Sequence, residues 1–303
     1  MEYNIKCNGE NYVNFLFYPS LNLVAHTSNL VGILIGGVGC QQYTQRREPK
    51  ALDALGDYKK LDSFLFYQSC QTLGLNRISE VERAINIIKA MDNSSFLDCP
   101  NFSFNEFSEL LEKSYQCFYK NYWRENQERL EYMTKRMVQE KDWKKMLNVM
   151  EESVGSKMLC DFFVFLVEAA AGSATMIPPN ISIGAPIPRY DSGFVHEGLH
   201  LLIALAGDQY KEVFDFANSH EWKKVNEEKL PYNNWRGKIE QAVVITLDSL
   251  INKRPEYLDG CLVGDLRDNI YSEIKQWFEE NRKIPLHKFL LEILKQYEKE
   301  IFN

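Results

Sequence analysis

Two histidines four residues apart, His196 and His200, stand in the run FVHEGLHLL, with Glu197 directly after the first. On an α-helix, positions i and i+4 project from one face a single turn apart, so both imidazoles can reach one metal ion. Neutral imidazole suits zinc, and two of them leave room in a tetrahedral shell for a third protein donor and a water. Water acidified in such a site attacks a carbonyl carbon and needs a carboxylate to take its proton and pass it to the leaving nitrogen. Glu197 stands where that base would be. With five histidines in the chain, a chance HExxH match is expected on the order of 0.01 times, so the pattern carries information. The bland alternative is a helix with one histidine hydrogen-bonded in the core and the other at the surface.

The third donor has to come from elsewhere. A histidine six residues after His200 would complete a histidine-only set, but Ile203 and Ala206 hold the glycine and histidine positions of that extension. The remaining common solution is a glutamate on a later helix. In NNWRGKIEQAVVITLD, residues 233–248, Glu240 is followed at i+3, i+4, i+7 and i+11 by Val243, Val244, Leu247 and Ile251. Its carboxylate is therefore expected on the core side, where it needs a partner. Zinc would be one, and Arg236, four residues earlier, would be another. Glu221, Glu227 and Glu228 are rivals in a charged stretch that reads as a solvated face, and Asp208 is a weaker candidate just after the motif helix.

These residues need elements to position them. Residues 1–45 carry β-rich runs, clearest at 12–18, and a glycine cluster, Gly36, Gly37 and Gly39, that lacks the ending and spacing of a phosphate loop and reads as a turn. From 50 to 155 the periodicity is helical, with Ser79 a candidate cap for a helix to Met91 and further helices expected over 104–122, 124–139 and 142–153. The aromatics there, Phe107, Tyr115, Phe118 and Trp123, read as core. The continuous apolar run at 162–167 predicts a central strand, while the prolines in 181–188 confine that segment to an edge or a strand end. The motif helix follows, and then helices near 209–218, 235–253, 268–281 and 286–301. The expected class is α+β, mainly helical with a small mixed or antiparallel sheet. A shift of composition suggests an N-terminal β-then-helical region, 1–155, and a second region, 156–303, with one compact unit as the alternative.

A chain of 303 residues with 45% hydrophobic and 25% charged residues can bury a substantial core. Its formal net charge of -7 disfavours nucleic acid and anionic membrane surfaces as partners. Seven scattered cysteines without CxxC pairs suggest a reducing compartment. Residues 1–12 lack the basic and apolar regions of a secretory signal, so a cytoplasmic location is expected. The most apolar early stretch, 30–39, is about half the length needed to span a bilayer.

A strand, an HExxH helix and a glutamate on a following helix together resemble the gluzincin superfamily of zinc metallopeptidases, in an uncharacterised bacterial branch. The resemblance covers roughly residues 160–255. It implies a zincin-like catalytic region and Zn2+ held by His196, His200 and Glu240, with Glu197 as general base and a peptide or protein as substrate. The second motif departs from the familiar NExxSD form, because Ile239 precedes Glu240 and Val244 stands where an aspartate orienting a histidine would be. In gluzincins the strand before the motif helix is an edge to which an extended peptide adds. Residues 181–187 hold that position here, with Ile181, Ser182, Ile183 and Gly184 as the substrate-binding candidates. A donor for the oxyanion is also needed, and Tyr190, His220, Tyr232 and Tyr257 are candidates, Tyr232 foremost because it lies just before the Glu240 helix. The competing reading is a non-catalytic helical binding module with a structural or degenerate metal site. A zinc hydrolase with a non-peptide substrate is a further alternative.

Overall fold

The structure is a computed structural model that describes residues 2–6, 12–30, 80–90, 104–158, 161–167, 174–177, 180–184, 190–221, 234–254, 264–280 and 283–302. The glycine cluster at 36–39 lies outside the described residues, as do Ser79 and Cys160. By internal contacts the chain divides into two units, Met1–Asp142 with Cys160–Phe194, and Trp143–Leu159 with Val195–Asn303. The segment Trp143–Leu159, which spans the composition shift near 155, groups with the second unit. The strand-rich segment after residue 160 joins the N-terminal elements because its strands complete their sheet.

That sheet has five strands, β1 (Glu2–Lys6), β2 (Tyr12–Leu16), β3 (Phe162–Val167), β4 (Ala174–Ile177) and β5 (Asn180–Gly184), in the order β1-β2-β3-β5-β4. The outer pairs are antiparallel and the inner pairs, β2 with β3 and β3 with β5, are parallel. The run FFVFLV does form the central strand. Phe162, Val164, Phe165 and Leu166 are each 0% exposed, as expected of a strand covered on both faces. The segment after Pro178 and Pro179 does form a strand, but β5 is paired on both sides, with Phe163 opposite Asn180 in β3 and Ile177 opposite Asn180 in β4. The expected open edge is thus corrected over residues 181–184, while 185–187 lie outside the described residues. The unexpected strand β4 takes the outer position, and it escaped notice because the preceding Ala-Ala-Ala-Gly-Ser run reads as a loop.

Among the described residues this unit holds the helices α1 (Pro19–Leu30), α2 (Val81–Lys89), α3 (Phe104–Ser114) and α4 (Lys120–Gln139), besides the first turn of the motif helix. A π-helical turn, Tyr115–Tyr119, joins α3 to α4 without a break, so two helices expected as separate are one continuous rod. The residue at the N-cap of α2 is Glu80, one after the serine predicted to cap it. Asn22 ties α1 to the sheet by donating to the Leu166 carbonyl at 3.3 Å, and Thr27 meets Ser114 at 3.0 Å. Phe107 and Trp123 are buried as expected, whereas Tyr115 and Phe118 are half-buried. Cys117, the one cysteine among the described residues, is a free, exposed thiol.

The second unit is all helix among the described residues. It contains α5 (Trp143–Val154), the part of α6 (Tyr190–Leu205) from Val195 onward, α7 (Gly207–Asn218), α8 (Trp235–Asn252), α9 (Gly264–Glu279), α10 (Leu286–Gln296) and α11 (Glu298–Phe302). The four helices expected after the motif all form, the last as two pieces broken at Tyr297. Helix α8 is central, packing against α5, α7 and α9. Every residue from Gln241 to Ser249 is buried, so this helix is enclosed on all sides. No helix among the described residues is long and apolar enough to cross a membrane. The protein is thus mainly helical with one small mixed sheet, in keeping with the α+β expectation.

Candidate functional site

Local chemistry fixes the start of α8. Asn234 has extended backbone and accepts a hydrogen bond from the Gly237 amide at 2.8 Å, which satisfies one of the donors a helix N-terminus leaves over. Trp235 donates its indole N–H to the Glu221 carbonyl at 3.0 Å and meets the Phe302 ring edge-on at 4.7 Å. With its first turn anchored, α8 presents Glu240 and Gln241 in its second turn. Successive helical residues diverge by about 100°, so the two side chains reach different sides of any group before them.

Helix α6 supplies that group. Val195, Leu199, Leu201, Leu202 and Ile203 are buried, and the histidines ride on the same apolar helix. The rings of His196 and His200 lie 5.0 Å apart in an edge-on arrangement, as the i, i+4 spacing predicts. His200 Nδ1 is 2.7 Å from Glu240 Oε1, and its Nε2 is 2.9 Å from Gln241 Oε1. The Gln241 amide nitrogen is in turn 3.2 Å from His196 Nε2. The Nε2 atoms of both histidines therefore converge on one side-chain amide. His196 Nδ1 is buried without a hydrogen-bond partner.

Of the residues picked from sequence, His196, His200 and Glu240 are thus brought together, with Glu240 on the nitrogen of His200 that faces away from Gln241. Glu240 pairs with this histidine, while the Arg236 guanidinium lies over the Phe214 ring at 4.6 Å. Gln241 was missed. It carried a legible signal, since its own i+3 and i+4 neighbours are Val244 and Ile245, which put it on the core side beside Glu240. Among the described residues, no group of three or more His, Cys, Asp or Glu side chains is arranged to hold a metal ion. What converges there are the Nε2 atoms of two imidazoles, and the adjoining oxygen donor is the Gln241 amide.

Burial dominates the electrostatics. His196 keeps part of its surface exposed yet lies deep among protein atoms, which, with the neighbouring His200, pushes its pKa down to about 3. It is therefore neutral at pH 7, the ligand-competent form. Burial pushes the Glu197 carboxyl up to about 7, against a smaller opposing effect of His200. For His200, burial favours the neutral ring, but the hydrogen bond and charge of Glu240, helped by Glu197, outweigh it and raise the pKa. With a protonated His200, the polar chain closes without conflict. Both its nitrogens donate, to Glu240 and to the Gln241 oxygen, and the Gln241 amide donates to His196.

Of the oxyanion-donor candidates, His220 has Nε2 at 2.9 Å from Glu298 Oε1 and Nδ1 at 2.9 Å from the Phe216 carbonyl. Its ring stacks on Phe302 at 3.9 Å, so it clamps the end of α7. Tyr190 opens α6. Tyr232 and Tyr257 lie outside the described residues, as do Glu227 and Glu228, while Asp208 and Glu221 are exposed. Ile181, Ser182, Ile183 and Gly184 all lie in β5 of the first unit. No protein-family model, curated protein or solved structure matches this chain.

Proposed function

We propose that the chain is a zinc-dependent hydrolase acting on peptide bonds. The observation that carries the reading is the convergence of His196 Nε2 and His200 Nε2 on a single polar side chain, at 3.2 and 2.9 Å. His196 and His200 would hold the ion, with a third donor from the Glu240–Gln241 turn of α8. Zinc, when bound, supplies a Lewis acid that makes water nucleophilic at neutral pH.

The chain's own residues supply the rest. Glu197, with its pKa lifted to about 7, is matched to accepting a proton at neutral pH and returning it to a leaving amine. Burial of His196 keeps its nitrogen lone pair free of a proton. Glu240 fixes the plane of the His200 ring through Nδ1. The β-augmentation site expected of a peptidase would have to use a strand other than β5, since both sides of β5 are occupied.

The direct test is metal analysis of the purified protein, with one zinc per chain expected and loss of it in His196→Ala and His200→Ala. A metal content indifferent to both changes would remove the reading. One observation favours a second reading, a non-catalytic helical module: the His200–Gln241–His196 hydrogen-bond chain is complete without an ion. A chain that takes up no zinc while staying folded would establish it.

A further inference from the structure

We infer that the residue of α8 turned toward the metal position is Gln241, and that Glu240 is a positioning residue that orients His200 from behind. This rests on the zinc reading and assigns the two side chains that the reading leaves open. The geometry separates them by the two nitrogens of one ring. Glu240 Oε1 takes the Nδ1 side of His200 at 2.7 Å, and Gln241 Oε1 takes the Nε2 side at 2.9 Å. The Nε2 side is also the side His196 faces, because the same Gln241 amide reaches His196 Nε2 at 3.2 Å. An ion held by both Nε2 atoms would thus meet the amide oxygen of Gln241 as its nearest further donor.

The chemistry is consistent with that division. A metal-bound histidine commonly donates its other N–H to a carboxylate, which fixes tautomer and ring orientation and makes the ligand nitrogen more basic. Glu240 at Nδ1 does this for His200. It also fills the role left open when Val244 was found where an orienting aspartate would stand. Gln241 is 8% exposed, and a buried amide needs partners for both its oxygen and its nitrogen. The two imidazoles provide them.

Cobalt(II) spectroscopy with zinc competition against a chelator, on the full chain, tests the assignment. Gln241→Glu replaces a neutral oxygen donor by an anionic one at the same reach, so the cobalt bands should move. Glu240→Gln should leave the band positions in place and weaken zinc binding by about 10- to 100-fold, the usual cost of losing an orienting partner. Bands that move with Glu240→Gln and stand still with Gln241→Glu would overturn the assignment and make Glu240 the ligand. Should Gln241→Glu fail to fold by circular dichroism, the Glu240→Gln spectrum decides alone, since Glu240 is partly exposed and its change is isosteric. Wild-type protein that binds neither cobalt nor zinc would instead defeat the zinc reading itself.

Discussion

Glu240 and His200, forty residues apart in sequence, meet through Oε1 and Nδ1 at 2.7 Å, and this bond joins the motif helix to the centre of the second unit. It leaves Nε2 as the one nitrogen of His200 directed at His196 through Gln241.

Removing the base should separate binding from turnover. Glu197→Gln is expected to retain the metal and to lose at least about 100-fold in peptide hydrolysis. Measuring both on one preparation checks this, and unchanged turnover would take the base role from Glu197.

Glu197 also has a consequence for stability. Its folded pKa of about 7 lies above the 4.5 of a free glutamate side chain, so the folded state binds more protons between those values. Its contribution is present below pH 4.5 and is lost as the pH rises through 7. In metal-free protein, urea titrations of Glu197→Gln should show a flatter loss of stability from pH 5 to 7 than wild type.

His196 works with the opposite sign. Its folded pKa of about 3 lies below the usual 6.5, so the unfolded chain binds more protons between those values. Its contribution is full above pH 6.5 and is lost as the pH falls toward 3. Metal-free protein should therefore be destabilised by acid through that window, by at most about 1.4 kcal/mol per pH unit for this one group. His196→Gln should remove that part of the slope in the same unfolding experiment.

Away from the site, Asn234→Ala removes the side chain that accepts the Gly237 amide. It should cost about 1 kcal/mol in denaturant unfolding. At the other end of α8, Lys253 is held at φ 54°, where a side chain is strained and glycine is not. Lys253→Gly should stabilise the protein by up to about 1 kcal/mol; a destabilisation would mean that the lysine side chain contributes more than its strain.

Much of this was legible in the residues. The apolar run at 162–167 specified a central strand because burial on both faces leaves no room for alternation, and the helices after residue 205 followed from their periodicity. Glu240 was legible because its i+3 and i+4 neighbours are valines. Which nitrogen of His200 it would reach was not, because that depends on the rotation of α8 about its axis relative to α6, and adjacent positions such as Glu240 and Gln241 are both consistent with an inward face. The inner position of β5 was hidden for a similar reason. Prolines near a strand argue for an edge only when they fall inside the paired stretch, and here Pro178 and Pro179 fall between β4 and β5 while Pro186 and Pro188 follow it. The order of strands rests on pairing partners far apart in the chain, which no local pattern records.

That pairing has a cost during synthesis. Val13 of β2 lies beside Phe162 of β3, so the N-terminal hairpin emerges from the ribosome roughly 7–30 s before its neighbour exists, at ordinary rates of elongation. Through that interval β2 presents an unpaired edge with Phe15 and Leu16 uncovered, a surface suited to capture by a chaperone or by another nascent chain. Slowing translation over residues 31–160 should therefore lower the yield of folded protein.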